Sequence, residues 1–238
     1  MNTFRQNQEI VLKGYQSGAL IPNLFNLTTI SRSSVTQSVN EGLEMTTRAA
    51  KRTFDIFFSS MVILFGLPVF LMVMAITKLT SKGPVFYRQE RIGRNGSPFE
   101  ILKFRSMIVE SEVNGPQLTS DNDPRITPWG NFMRKTHLDE IPQFWNVLSG
   151  DMSVVGPRPE RAHFIQQIVA KAPAYTQLLT LRPGITSIGQ LNFGYAETVE
   201  EMVQRMFLDL KYLTQVNLLT DLKIIGETVM TMVNKKGK

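Results

Sequence analysis

The stretch IFFSSMVILFGLPVFLMVMAI, residues 56–76, has no charged side chain and a single proline, Pro68. Coiled as a helix it reaches ~31 Å, enough to cross the hydrocarbon core of a bilayer. Pro68 removes one backbone hydrogen bond and kinks a helix that runs through it. Both flanks are basic, with Arg48, Lys51 and Arg52 before the run and Lys78, Lys82 and Arg88 after it. A spanning helix keeps its positive residues on the cytoplasmic side. Basic residues at both ends therefore point to a re-entrant hairpin that bends at Pro68 and leaves both ends cytoplasmic. On pattern alone a proline-kinked spanning helix fits as well, and a helix buried in a soluble core fits the length and lack of charge less well.

The rest of the 238-residue chain narrows the chemistry. It contains no cysteine, which excludes disulfides, thiolate nucleophiles and Cys-ligated zinc. His137 and His163 are its only histidines, so any metal would be held mostly by oxygen, as a hard ion such as magnesium is. The net charge of +6 suggests an anionic partner. From Arg48 to Arg105 ten basic residues face three acids, Asp55, Glu90 and Glu100, so the positive charge gathers around the apolar run. No helix-turn-helix, RNP-like or zinc-finger pattern supports nucleic acid as that partner. MNTFRQNQEIVLKGYQSGAL, residues 1–20, lacks the apolar core of a signal peptide, and NLTTISRSSVTQSVN, residues 26–40, is rich in Ser, Thr and Asn. Residues 1–47 are expected to form a polar, poorly ordered extension.

Beyond the run, GPVFYRQERIGRNGSPFEILKFRSM, residues 83–107, places Asn95-Gly96 between two apolar-aromatic stretches, a β-hairpin signature. Its glycines are not a phosphate loop, because no GKS/T follows. Lys103 and Arg105 fall on one side of the second arm by strand alternation. In residues 119–160, Asp139 and Glu140 are followed by Ile141-Pro142 and an apolar-aromatic stretch. Proline suits a first helical turn, so both acids are expected near a helix N-terminus, where the dipole favours the ionised form. An ionised carboxylate is what a nucleophile or a magnesium ligand must be. Acids in a first turn also simply stabilise helices. Arg134 lies five residues upstream, and Arg158 is set between prolines in VGPRP, residues 155–159. Arginines for phosphate oxygens beside acids for metal and nucleophile are the parts phosphoryl transfer needs.

KRTFDIFF, GPVFYRQERIGRNG, FEILKFRSM, DPRITPWG, FMRKTHLDEIPQFWNVLSGDMSVVGPRPE and LRPGIT resemble, in order and spacing, the bacterial sugar transferases, the monotopic phosphoglycosyl transferases. The resemblance covers roughly residues 48–192. It implies transfer of a sugar-1-phosphate from a UDP-sugar to undecaprenyl phosphate with release of UMP and a need for Mg2+. By motif match Asp139 would be the nucleophile that forms a phosphosugar-aspartyl intermediate, and Glu140 would assist and hold the metal. Arg134 and Arg158 match positions linked to phosphate or nucleotide contacts, while Lys103, Arg105 and Arg125 lie in matching basic motifs. Pro68 matches the break of the family's re-entrant helix, and Lys51, Arg52 and Asp55 match its start.

Two departures stand out. The break here is Leu67-Pro68 rather than Ser-Pro, and Ser187 follows LRPGIT where the family usually has glycine. With no long multi-helix membrane domain upstream, the chain resembles a small catalytic-core member carrying an N-terminal extension.

The expected protein is therefore α+β and helix-dominated: a monotopic membrane protein with one proline-broken re-entrant helix over residues 48–80. A small cytoplasmic catalytic domain containing a β-hairpin would occupy residues 81–195, and amphipathic helices residues 196–238. It would sit on the cytoplasmic face of the bacterial inner membrane and work early in polysaccharide or glycoprotein glycan assembly, alone or as a homo-oligomer. In the C-terminal part Met202, Met206, Leu210, Leu213, Leu218, Leu222, Ile225 and Val229 recur at helical spacing, either packing beneath the site or lying on the membrane. A non-catalytic partner on the same fold, and a glycosyltransferase that releases UDP, are the alternative functions.

Overall fold

The computed structural model describes residues 45–109, 111, 115–120, 123–194 and 196–234, so the expected extension lies outside it up to residue 44. The first helix, α1, runs Met45–Thr80, three residues earlier than expected, and continues through Pro68 as one element. At its two ends it docks on the same folded unit. Near the start, Asp55 is buried and accepts hydrogen bonds from Ser153 Oγ at 3.1 Å and Val154 N at 3.0 Å. Lys51 donates to Val155 O at 3.0 Å and pairs with Asp221, whose other oxygen accepts from Tyr212 OH. Arg52 donates to Val147 O at 2.6 Å and Leu148 O at 2.9 Å. Near the far end, Phe70 packs against Phe86 and Phe104, and Thr77 accepts from Trp129 Nε1 at 3.0 Å. Between these ends Leu64 and Phe65 are 61% and 74% exposed, so among the described residues much of the charge-free middle is uncovered. Among the described residues α1 alone is long and apolar enough to cross a membrane.

The expected hairpin is present: β1, Phe86–Ile92, pairs antiparallel with β2, Pro98–Phe104, in register from Phe86 with Phe104 to Ile92 with Pro98. The Asn95-Gly96 turn lies within a five-residue connection, with Asn95 at φ 58° and Gly96 at φ 79°, the left-handed conformations these two residues tolerate. Helix α2, Pro128–Lys135, opens with Thr127 Oγ1 accepting from Gly130 N at 2.9 Å and with proline at its first position. Helix α3, Gln143–Ser149, ends at Gly150 with φ 96°. Pro142 is its cap residue rather than part of its first turn, and Leu138–Glu140 forms a separate 3-10 turn just before it.

A second, parallel pair joins β3, Ser153–Val155, to β4, Gly184–Thr186, and so brings VGPRP beside LRPGIT. Helix α4, Ala162–Lys171, and a 3-10 segment, Pro173–Thr180, lie between these strands in the chain. Helix α5, Ile188–Phe193, follows β4. Ser187 is its N-cap, accepting from Gln190 N at 2.9 Å, so this departure from the family pattern serves as a helix cap. Helix α6, Val199–Leu213, buries Met202, Met206, Leu210 and Leu213 in the core that also holds Val147, Val154 and Phe164. Packing within the core is thus the role of α6. Helix α7, Leu218–Asn234, buries only Asp221 and Ile224, while Leu219, Met230 and Val233 stay exposed on an apolar flank. The result is a helix-dominated α+β fold with two small sheets and one long apolar helix.

Strands β3 and β4 approach so closely that a Cβ on Gly184 would lie 2.1 Å from Gly156 N. Gly184→Ala should lower stability by about 1–3 kcal/mol, seen as a drop in thermal unfolding temperature. Gly226→Ala, in α7 with nothing within 4 Å of the added methyl, should leave that temperature unchanged or slightly higher.

Candidate active site

The 3-10 turn Leu138–Glu140 is launched by His137, which takes the left-handed conformation at φ 56° and turns the chain out of α2. Both acids on this turn are buried. Glu140 Oε1 accepts from Lys103 Nζ of β2 at 2.7 Å and from Arg158 NH2 at 3.5 Å. Burial alone would raise the Glu140 pKa. The Lys103 and Arg158 charges, with the Lys103 hydrogen bond, outweigh it and hold this carboxyl well below the usual range. Asp139 moves the other way: burial and the neighbouring Glu140 carboxylate push it up, against the opposing charges of Lys103, Arg134 and His137. Its Oδ1 is enclosed and has no hydrogen-bond partner among the described residues. Two adjacent carboxylates thus differ, one fixed as an anion by two cations and one more basic with an uncommitted oxygen.

Of the residues singled out from the sequence, Asp139, Glu140, Lys103 and Arg158 come together. Arg134, in the last turn of α2, is close enough to act electrostatically on Asp139 and on Asp123. Arg105 and Arg125 are engaged elsewhere. Arg105 donates to Lys82 O at 2.6 Å and Ser81 O at 2.8 Å, which fixes the exit of α1. It lies past the end of β2, so the shared side expected for Lys103 and Arg105 separates into two tasks. Arg125 binds Asp123 through Nε at 2.9 Å and also donates to Gln117 Oε1 at 2.9 Å and Ser111 O at 3.1 Å, tying together the loop before α2.

A cavity of about 350 Å³ opens beside the turn. Glu140, His137, Arg158 and Arg205 form its polar end, and Phe58, Phe144, Leu191, Val229 and Met232 its apolar walls. Asp139 does not line it. Sequence reading missed Arg205 and His137, whereas Ile225 and Val229 of α7 line the cavity in keeping with one of the two roles expected for the C-terminal stretch. Arg205 carried a signal: it is a cation flanked by Val203 and Met206, both buried, and buried charges require partners. Its partner is Glu160, which also receives Arg91 at 3.5 Å. Since Ile92 N donates to Glu160 O at 2.9 Å, this network fixes the VGPRP segment to the hairpin two residues beyond Arg158.

Oxygen donors suited to magnesium are few: no cluster of three or more His, Cys, Asp or Glu occurs among the described residues. One or two carboxylates completed by substrate phosphates and water is nevertheless how Mg2+ is commonly held, and the uncommitted Asp139 Oδ1 beside Glu140 fits that pattern.

The bacterial sugar transferase family model matches residues 46–235, and the chain belongs to that family. A UDP-glucose:undecaprenyl-phosphate glucose-1-phosphate transferase of Klebsiella pneumoniae is 42% identical over 190 residues, 79% of this chain and 41% of that protein. A UDP-N-acetylgalactosamine-undecaprenyl-phosphate N-acetylgalactosaminephosphotransferase of Aeromonas hydrophila is 38% identical over 187 residues, covering 79% and 44% respectively. The exopolysaccharide production protein ExoY of Rhizobium meliloti (strain 1021) is 34% identical over 203 residues, covering 79% of this chain and 87% of that one. The chain therefore spans about two fifths of the first two relatives, 41% and 44%, and most of the third.

Next to the cavity, Asp209 accepts from Gly189 N at 2.8 Å and is pushed up to about 6 by burial, against that hydrogen bond and the Arg205 charge. Folding therefore raises its proton affinity. Its contribution to stability is full below the ordinary value near 3.8 and is lost as pH rises through about 6. Asp209→Asn should remove roughly 1–3 kcal/mol of pH dependence across that window, read from unfolding temperatures on both sides of it.

Proposed function

We propose that the protein transfers a sugar-1-phosphate from a UDP-sugar to undecaprenyl phosphate, releasing UMP, through a covalent Asp139 intermediate. The observation that carries this reading is the unequal carboxylate pair. Glu140 is neutralised by Lys103 and Arg158, while Asp139 retains an uncommitted, more basic oxygen. The names of the relatives support the substrates, since two of them pair a UDP-sugar with undecaprenyl phosphate.

In the first half-reaction an Asp139 carboxylate oxygen attacks the phosphorus that bears the sugar. The bond from that phosphorus to the bridging oxygen breaks, and the electron pair leaves on UMP. In the second, a phosphate oxygen of undecaprenyl phosphate attacks the same phosphorus and Asp139 departs as free carboxylate. Because Asp139 Oδ1 is enclosed while Glu140 and His137 face the cavity, attack requires the 137–140 turn to shift and bring Asp139 into it. In this reading phosphate oxygens are compensated by Arg158, which lines the cavity, and by Lys103, which sits behind it on Glu140, and the apolar walls would suit a prenyl chain arriving from α1 and α7. When bound between Asp139, Glu140 and substrate phosphates, Mg2+ would neutralise charge on the leaving phosphate.

With UDP-sugar and Mg2+ but no lipid, up to one equivalent of UMP and a protein-bound phosphosugar should accumulate. Screening several UDP-sugars by the same readout identifies the donor. Asp139→Asn keeps the side-chain size but cannot form the acyl phosphate, so UMP release and turnover should both vanish. Near-normal turnover by a folded Asp139→Asn protein, or release of UDP in place of UMP, would end this reading.

For topology we infer a monotopic arrangement, with α1 re-entrant at Pro68 on the cytoplasmic face of the inner membrane. The support is that both ends of α1 pack on one folded unit while its apolar middle is exposed. The chain lacks native cysteine, so single cysteines report cleanly. Cysteines at Thr47 and Lys82 should both react with cytoplasmic reagent and stay shielded from periplasmic reagent. Pro68→Leu restores a backbone donor and should move part of the population toward a spanning helix, exposing the Thr47 site on the periplasmic side.

A further inference from the structure

We propose that a second cavity, at the foot of α1, is a binding site for a phosphate-bearing anion. It measures about 310 Å³ and shares no lining residue with the Glu140 cavity. Arg48, Lys51, Arg52, Arg94 and Arg182 line it, against the single acid Asp55. Asp55 Oδ1 already accepts from Ser153 and Val154, and Lys51 is matched by Asp221.

Three of the arginines are fixed by neutral groups. Arg52 holds Val147 O and Leu148 O, Arg94 donates through Nε to Thr180 O at 3.2 Å, and Arg182 donates through Nε to Gly150 O at 3.0 Å. Among the described residues none of these three pairs with a carboxylate. A helix C-terminus gains from a nearby cation, but one cation suffices to cap α3. Gathering three around a cavity costs electrostatic energy that an anion relieves. Consistent with this, burial and the charges of Arg182 and Arg48 all lower the Arg94 pKa. Since Arg94 and Arg182 spend only Nε on carbonyls, the two terminal nitrogens of each guanidinium remain for a bidentate contact with phosphate oxygens.

The cavity borders residues 48–55, immediately before the apolar run begins at Ile56. In a membrane-seated protein that is the depth of lipid headgroups. An anionic phospholipid and a soluble phosphate ester share the required chemistry, and the test separates them.

The full chain in neutral detergent is titrated with short-chain phosphatidylglycerol, short-chain phosphatidylcholine, inorganic phosphate and glycerol 3-phosphate, following unfolding temperature and affinity. Phosphatidylglycerol should bind and stabilise the protein where phosphatidylcholine does not. Arg94→Gln and Arg182→Gln should each weaken binding about tenfold or more. Arg158→Gln, at the other cavity, should leave it intact. Equal binding of inorganic phosphate or glycerol 3-phosphate, with the same dependence on Arg94 and Arg182, assigns the site to a soluble ester. If either glutamine variant fails to fold, Arg94→Lys and Arg182→Lys decide, the lysines retaining weaker binding. No anion binding above phosphatidylcholine, binding unchanged in both glutamine variants, or loss through Arg158→Gln would overturn the proposal. None of these outcomes depends on UMP release, so the catalytic reading is tested separately.

Discussion

The arrangement hangs on a carboxylate buried where a membrane-type helix meets a folded domain. Asp55 lies one residue before the charge-free run and satisfies both Ser153 Oγ and the backbone of Val154. A buried acid this close to an apolar run is costly unless fully engaged. Once engaged, it fixes the rotation of α1 relative to β3. Strand β3 leads through Gly156 and Pro157 to Arg158, and Arg158 reaches Glu140. The orientation of the apolar helix and the placement of the cations around Glu140 are therefore one geometric problem with one solution. Lys51 and Arg52 reinforce it by bonding to Val155, Val147 and Leu148. These residues read in the sequence as a basic flank, yet in the structure they are structural ties.

Glu140 plays the corresponding part at the site. Its ion pairs join the hairpin through Lys103 and the VGPRP segment through Arg158, so three stretches far apart in sequence converge on one oxygen. Buried pairs of this kind add little net stability, because desolvation offsets much of the attraction. Their effect is positional: removing any one partner leaves the others charged and buried. The 3-10 turn, with its left-handed His137, aims the two acids differently, and their contrasting proton affinities follow from that difference in surroundings.

Much of this was legible in the chain. The hairpin followed from Asn95-Gly96 between apolar arms, and the apolar run announced α1. Met202, Met206, Leu210 and Leu213 at helical spacing announced α6, while leaving packing and membrane contact as alternatives. Lys103, Asp139, Glu140 and Arg158 emerged from local patterns and motif resemblance. What stayed hidden was long-range. Nothing near Arg105 or Arg125 indicated that they would spend their donors on local carbonyls and loop side chains. The pairing of β3 with β4 brings together segments some thirty residues apart, and three-residue strands carry no period to detect. For α7 the helical spacing left packing beneath the site and lying on the membrane as alternatives, because spacing does not encode a packing angle.

The pairing of Lys51 with Asp221 bridges 170 positions in the chain. During synthesis the first helix leaves the ribosome long before its last partner exists. At typical bacterial elongation rates the interval is roughly ten to thirty seconds. Through that interval the basic start of α1 lacks the carboxylate that will match Lys51. Closure by α7 then supplies that carboxylate and locks the start of α1 to its domain. A truncated or stalled chain would retain the apolar segment but lack this clasp, and would present to quality-control proteases an apolar helix joined to an unfinished core.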